Sequence, residues 1–101
     1  MTTAVEQIIK ERGNSYGDYA ENATLVRGIM CCLYQRANLA YNRLTDYEQD
    51  ALHMIVHKIA RVLGSASTEA DIIAREDTWN DIAGYASLVV REIQTEKDTP
   101  F

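Results

Sequence analysis

The chain has 101 residues and a mass of 11.4 kDa, with 47% apolar and 25% charged residues, so one folded domain over 1–101 is expected and a large multidomain enzyme is excluded. Ten Lys and Arg against fifteen Asp and Glu give a net charge of −5 and a pI near 4.9, which repels a phosphate backbone and argues against non-specific nucleic-acid binding. Apolar runs fall far short of the ~20 residues of a membrane span, and no basic-then-apolar signal segment opens the chain, so a cytoplasmic protein with no membrane partner is expected.

Apolar residues recur at helical spacing, and the one proline, Pro100, lies at the C-terminal end. An all-α fold follows. The first helix is predicted over Thr3–Arg12, with Val5, Ile8 and Ile9 on one face and Gly13 as its left-handed terminator. Residues 13–19, Gly-Asn-Ser-Tyr-Gly-Asp-Tyr, read as a loop. Within it, Tyr16-Gly17-Asp18-Tyr19 has two readings: a turn whose aromatics cover the bundle end, or a flap that closes over a ligand through Tyr16 and Asp18. A second helix is predicted from about Ala20 to Tyr41, burying Leu25, Ile29, Cys32, Leu33 and Ala40. Cys31 and Cys32 are neighbours on it and point about 100° apart, so they do not bridge and are expected to be buried or half-buried apolar residues.

The third helix has the clearest start. Thr45-Asp46-Tyr47-Glu48 fits a capping box, and Leu52, Ile55, Val56, Ile59, Val62 and Leu63 then repeat at threes and fours up to Gly64, the expected stop. Ser65–Ala70 reads as a polar connector. A fourth helix is predicted over Ile72–Thr95 with Trp79, Ile82, Ala86, Val89 and Ile93 buried, followed by a frayed tail over 96–101. Short connectors make the whole a small antiparallel bundle of about four helices, and its limited core predicts a homo-oligomer.

Asp77 and Asp81, at i and i+4, share one face of the fourth helix, with Gly84 further along and Glu76 nearby. Helix-borne carboxylates hold Mg²⁺ or Mn²⁺, which prefer oxygen ligands and keep waters for a phosphate substrate. A glycine inside a helix costs ~1 kcal/mol and suggests close approach by a backbone or ligand. The competing reading is structural: with the third and fourth helices antiparallel, Lys58 and Arg61 fall opposite Asp81 and Asp77 and pair with them. Asp50, His53, His57 and Arg61 form another line. His53 and His57 have the spacing of a helical zinc pair, but Leu52 and Met54 replace the expected Glu and no third ligand is evident, so a half-buried histidine face is preferred. The chain has no Gly-rich phosphate loop, no Gly-x-Ser-x-Gly and no nucleophile beside an evident base, which disfavours hydrolysis through a covalent intermediate.

Arg12-Gly13, Tyr16-Gly17-Asp18, His57-Lys58-Ile59-Ala60-Arg61 and Asp77-Thr78-Trp79-Asn80-Asp81-Ile82-Ala83-Gly84-Tyr85-Ala86, in that order, resemble a family of small tailed-phage and prophage proteins without an assigned activity. More distantly, a Lys-x-x-Arg helix followed by an Asp-x-x-x-Asp helix is similar to the MazG-like all-α nucleoside triphosphate pyrophosphohydrolases. That group holds Mg²⁺ with a Glu-Glu-x-x-Glu helix and a later Glu-x-x-Asp helix. Here the third helix offers Glu48 and Asp50 and then His53, and the fourth spaces its two Asp by four. The resemblance implies Mg²⁺ at Asp77, Asp81 and Asp50, phosphate at Lys58 and Arg61, and a base against Tyr16 or Trp79. Its chemistry, in an active member, is attack of water on a metal-bound nucleoside triphosphate. Two other functions suit the same sequence: a non-enzymatic phage protein that sequesters a nucleotide signal or blocks a host defence protein, and a structural helical adaptor.

Overall fold

The computed structural model describes residues 3–16, 18–36, 38–66 and 72–98. Five helices follow one another: α1 (Ala4–Tyr16), α2 (Tyr19–Arg36), α3 (Asn38–Arg43), α4 (Asp46–Ala66) and α5 (Ile72–Asp98). No strand occurs among the described residues, so the protein is all-α.

Helix starts follow side-chain capping. At α1, Thr3 Oγ1 accepts the Glu6 amide and Glu6 Oε2 accepts the Thr3 amide, both at 3.1 Å. The predicted box at α4 is formed by Thr45 and Glu48, whose reciprocal amide bonds are both 3.3 Å, with Thr45 Oγ1 also donating to Glu48 Oε1 at 2.9 Å. Helix ends depart from expectation. α1 continues through Gly13 to Tyr16, because glycine permits a left-handed stop without imposing one and Asn, Ser and Tyr each cost a helix only a few tenths of a kcal/mol. α4 likewise runs past Gly64 to Ala66, so Ser65 is no connector: Gly64 and Ser65 are buried, and Ser65 Oγ bonds the Val62 carbonyl at 2.9 Å. The connector's remaining positions, 67–70, lie outside the described residues, as do 99–101 of the predicted tail, while 96–98 continue α5.

The predicted second helix corresponds to α2 and α3, and residue 37 between them lies outside the described residues. The carbonyls at the end of α3 have a dedicated partner in Gln49 on α4, whose Nε2 donates to Tyr41 O at 3.2 Å and Leu44 O at 3.1 Å. This side chain fixes the α3–α4 corner. Tyr34 of α2 meets Tyr41 of α3 edge to face, with ring centroids 5.0 Å apart.

α4 is the hub, with α1, α2 and α5 all packed on it. The core is narrow: Val26 and Met30 from α2 close on Val56 and Ala60 from α4, with Leu25, Ile29 and Leu33 at the margin. Because its neighbours approach from different sides, α4 buries the row Val56, Ala60, Gly64 rather than the whole predicted stripe, and Leu63 stays exposed. Cys31 and Cys32 are exposed, contrary to expectation, because they are turned away from the Val26–Met30–Leu33 line that meets α4. On α5, Thr78 is buried and Ile82, Tyr85 and Val89 are half-buried, whereas Trp79, Ala86 and Ile93 from the predicted stripe are exposed, Ala86 at the edge of a groove against α4.

The molecule measures 59 × 29 × 25 Å, and its radius of gyration is 16.7 Å, against about 13 Å for a compact chain of this length. Its surface of 7754 Å² exceeds the roughly 5,800 Å² expected for the mass by about 2,000 Å². A single copy leaves the bundle open.

Candidate phosphate and metal face on α4 and α5

The pairings between α4 and α5 set every site position. Lys58 meets Asp81, while Ala51, Leu52 and Ile55 share a groove of about 340 Å³ with Ala86 and Val89, so rising numbers on α4 face falling numbers on α5. The two helices are antiparallel.

Lys58 Nζ lies 3.0 Å from Asp81 Oδ2. The lysine side chain is only 12% exposed and the aspartate 51% exposed, so an ammonium held between two helices is neutralised by a carboxylate that still faces water. Arg61, half-buried, is the next turn of α4. Asp77 is exposed one turn from Asp81, at the level where Arg61 passes. Lys58, Arg61, Asp77 and Asp81 therefore lie at neighbouring levels of two adjacent helices, with Lys58 and Asp81 in contact.

The remaining predicted residues lie elsewhere. Asp50 stands with Tyr47, Tyr85, Leu88, Val89 and Glu92 around a smaller pocket of about 150 Å³. It is eight residues before Lys58, or about 12 Å along the helix, from the level of Asp81. Among the described residues no three of His, Cys, Asp and Glu converge in a way that could hold a metal ion. Within one chain, the carboxylates available to Mg²⁺ at the charged face are Asp77 and Asp81, enough for an ion that commonly takes one or two protein carboxylates and keeps its waters. Trp79 is 56% exposed but is turned about 160° from both of these Asp, on the far side of buried Thr78, whose hydroxyl bonds the Ala74 carbonyl at 3.1 Å. Gly84 meets no close approach: nothing lies within 4 Å of the position a Cβ would take.

Asp18 is the N-cap of α2. Its Oδ2 accepts the Glu21 amide at 2.9 Å and its carbonyl accepts the Asn22 amide at 3.0 Å. The Asp-x-x-Glu spacing carried that signal in the sequence. Tyr16 closes α1, and Gly17 between them lies outside the described residues.

His53 and His57 are exposed rather than half-buried. Their Nε2 atoms are 3.2 Å apart and their ring centroids 4.8 Å apart. Burial of the ring, then the neighbouring His53, Arg61 and Lys58, lower the His57 pKa from its ordinary 6.5. Tyr47 carries another perturbation. Its hydroxyl is buried with no well-formed hydrogen bond although Thr45 and Glu96 are its polar neighbours, and that burial, opposed by Thr45 and aided by the Glu96 and Glu48 carboxylates, raises its pKa from 10.0.

One feature of α5 was not legible in the predicted buried stripe. Trp79, Ala83, Ala86, Val90 and Ile93, at alternating steps of four and three, form an exposed apolar seam on the side away from the charged residues. That is the repeat by which one helix packs along another. In this chain α5 packs chiefly on α4, through Thr78, Ile82, Tyr85 and Val89, so the seam is left over. No helix among the described residues is long and apolar enough to cross a membrane.

The family model described as a domain of unknown function, DUF6378, matches residues 1–93, and the chain belongs to that family. Comparison with curated proteins and with solved structures finds no match.

Proposed function

We propose that this member of the DUF6378 family is a homo-oligomeric nucleotide-binding protein, with Lys58 and Arg61 contacting phosphate and Asp77 and Asp81 holding Mg²⁺ on the exposed α4–α5 face. The observation that carries the reading is the Lys58–Asp81 arrangement: a nearly enclosed ammonium against a half-open carboxylate, with an arginine and a second carboxylate one turn away. An anion gains most from a cation already withdrawn from water, and a hard divalent ion needs the carboxylate oxygens that remain solvated. The MazG-like resemblance supplies the chemical class, a nucleoside triphosphate with Mg²⁺, and a phage or prophage accessory role in a bacterial cytoplasm. With Asp50 about 12 Å away along α4, the metal set of one chain is thinner than in that group, which favours binding over fast turnover.

The second copy is supported by the open bundle. The surplus of about 2,000 Å² is of the size an obligate homodimer removes per chain, and the α5 seam is the surface on which a second α5 fits. Native mass spectrometry of the protein with Mg²⁺ and a panel of linear and cyclic nucleotides tests both parts. The expected result is a dimer or larger assembly that retains a nucleotide, with retention lost in Asp81→Asn. An unchanged nucleotide mass marks a sequestering protein, and loss of pyrophosphate marks an enzyme. Absence of any retained nucleotide overturns the binding reading and leaves the structural adaptor, for which Lys58–Asp81 is a clamp between helices.

A further inference from the structure

The His53–His57 pair lies outside the charged α4–α5 group and has no part in the reading above. Both rings are exposed on one face of α4, and their Nε2 atoms converge to 3.2 Å. Two imidazoles sharing one ion at the usual Zn–N distance of about 2.0–2.1 Å have nitrogens about 2.9 Å apart at a right angle and about 3.3–3.4 Å apart at the tetrahedral angle. The observed separation lies between these limits, so the two Nε2 atoms are already at the spacing that one shared ion requires. The rings are tilted by 43° rather than stacked, which leaves room for an ion at their common edge.

We propose that His53 and His57 form a two-imidazole chelate for a divalent transition-metal ion of the Zn²⁺, Ni²⁺ or Cu²⁺ class, with its remaining coordination positions open to solvent or an added ligand. Imidazole nitrogen selects these ions over Mg²⁺, so the site is chemically distinct from the carboxylate face. The surrounding charges set its strength. Lys58 is already paired with Asp81, Asp50 lies one turn before His53, and Arg61 lies one turn after His57. In the metal-free chain the same separation suits an Nε2–H of one ring donating to Nε2 of the other. Binding an ion uses both Nε2 lone pairs, so that proton moves to Nδ1 of its ring and no net charge is lost from the pair. The lowered pKa of His57 keeps its ring neutral, while Arg61 and Lys58, two of the charges that lower it, also repel a dication and so limit the affinity.

The test is thermal unfolding and native mass spectrometry of tag-free protein at pH 7.5, with Zn²⁺ or Ni²⁺ in modest molar excess and Mg²⁺ as control. Zn²⁺ and Ni²⁺ are expected to raise the Tm and be retained, Mg²⁺ to do neither, and His53→Gln and His57→Gln each to abolish both effects. Both positions are exposed, and an unchanged metal-free Tm shows that the variants fold. Ion retention that survives both substitutions assigns the metal to other groups, such as the exposed thiols of Cys31 and Cys32, and overturns the proposal. So does the absence of any Zn²⁺ or Ni²⁺ effect on the unsubstituted chain. Neither result bears on nucleotide retention, which is read with Mg²⁺ alone.

Discussion

Lys58 on α4 and Asp81 on α5 are joined at 3.0 Å across the interface that organises the molecule, and the two ends of the pair differ in their access to water. That asymmetry makes their substitutions unequal. Asp81→Asn leaves a mostly enclosed ammonium without its counter-charge, at an expected cost of about 1 kcal/mol, softened by the exposure of the carboxylate side. Lys58→Met removes the charge while keeping the aliphatic stem that packs between helices, so its cost should be smaller. Thermal unfolding of both variants at low and high salt checks the ranking. A salt-insensitive Asp81→Asn effect would contradict an ion pair as its source.

The capping box gives a second prediction. Thr45→Ala removes the acceptor of the Glu48 amide and the donor to Glu48 Oε1, and should cost about 1 kcal/mol, a Tm drop of about 4–8 °C for a domain of this size. Because α4 is the hub, the loss should appear in global unfolding rather than as local fraying, measurable by comparing helix-wide amide exchange with calorimetry.

Much of this architecture could be read from local chemistry, and the misses share one cause. The α4 start was legible because Thr45 and Glu48 act over three residues, and Lys58 opposite Asp81 followed from two long helices joined by a short connector. Gly13 and Gly64 misled because a glycine only allows a helix to stop, and neighbouring contacts decide whether it does. The α5 stripe was misaligned because that helix is apolar on two sides. Ile82, Tyr85 and Val89 meet α4, Trp79 and Ile93 belong to the outward seam and Ala86 borders both, and periodicity cannot say which side finds a partner. The Asp-x-x-Glu spacing of Asp18 and Glu21 marked a cap, a signal that the loop reading of residues 13–19 passed over.

Tyr47 offers a test of an unsatisfied group. Its hydroxyl is buried without a well-formed hydrogen bond while the ring lines the pocket beside Asp50 and Glu92. Tyr47→Phe keeps the ring and removes the stranded oxygen, so stability should be unchanged or slightly raised. A destabilisation above about 1 kcal/mol would mean that the hydroxyl has a partner in solution, either Thr45 or Glu96 or a bridging water.

The lowered His57 pKa fixes the sign of a pH effect. The unfolded chain binds a proton at the ordinary 6.5 and the folded chain only at lower pH, so protonation favours unfolding. The stabilisation from the neutral ring is full above about pH 6.5 and is lost as pH falls through the depressed folded value. His57→Gln should flatten the Tm profile in this acidic window. In metal-free buffer, His53→Gln should move the His57 titration followed by imidazole NMR back towards 6.5, because it removes one of the charges that oppose protonation.

The outward seam of α5 gives the sharpest test of assembly. Val90 is 52% exposed and lies on the seam between Ala86 and Ile93, so Val90→Asp places a charge where a second copy would bury it and costs the isolated chain little. Light scattering after size exclusion should show an oligomer for the unsubstituted protein and a folded monomer for Val90→Asp. Ser87→Asp, an exposed position on the same helix but off the seam, should leave the oligomer intact. If both variants behave as the parent does, the seam is not the contact, and the surplus surface must be covered through the exposed Val5, Ile8 and Ile9 of α1 instead.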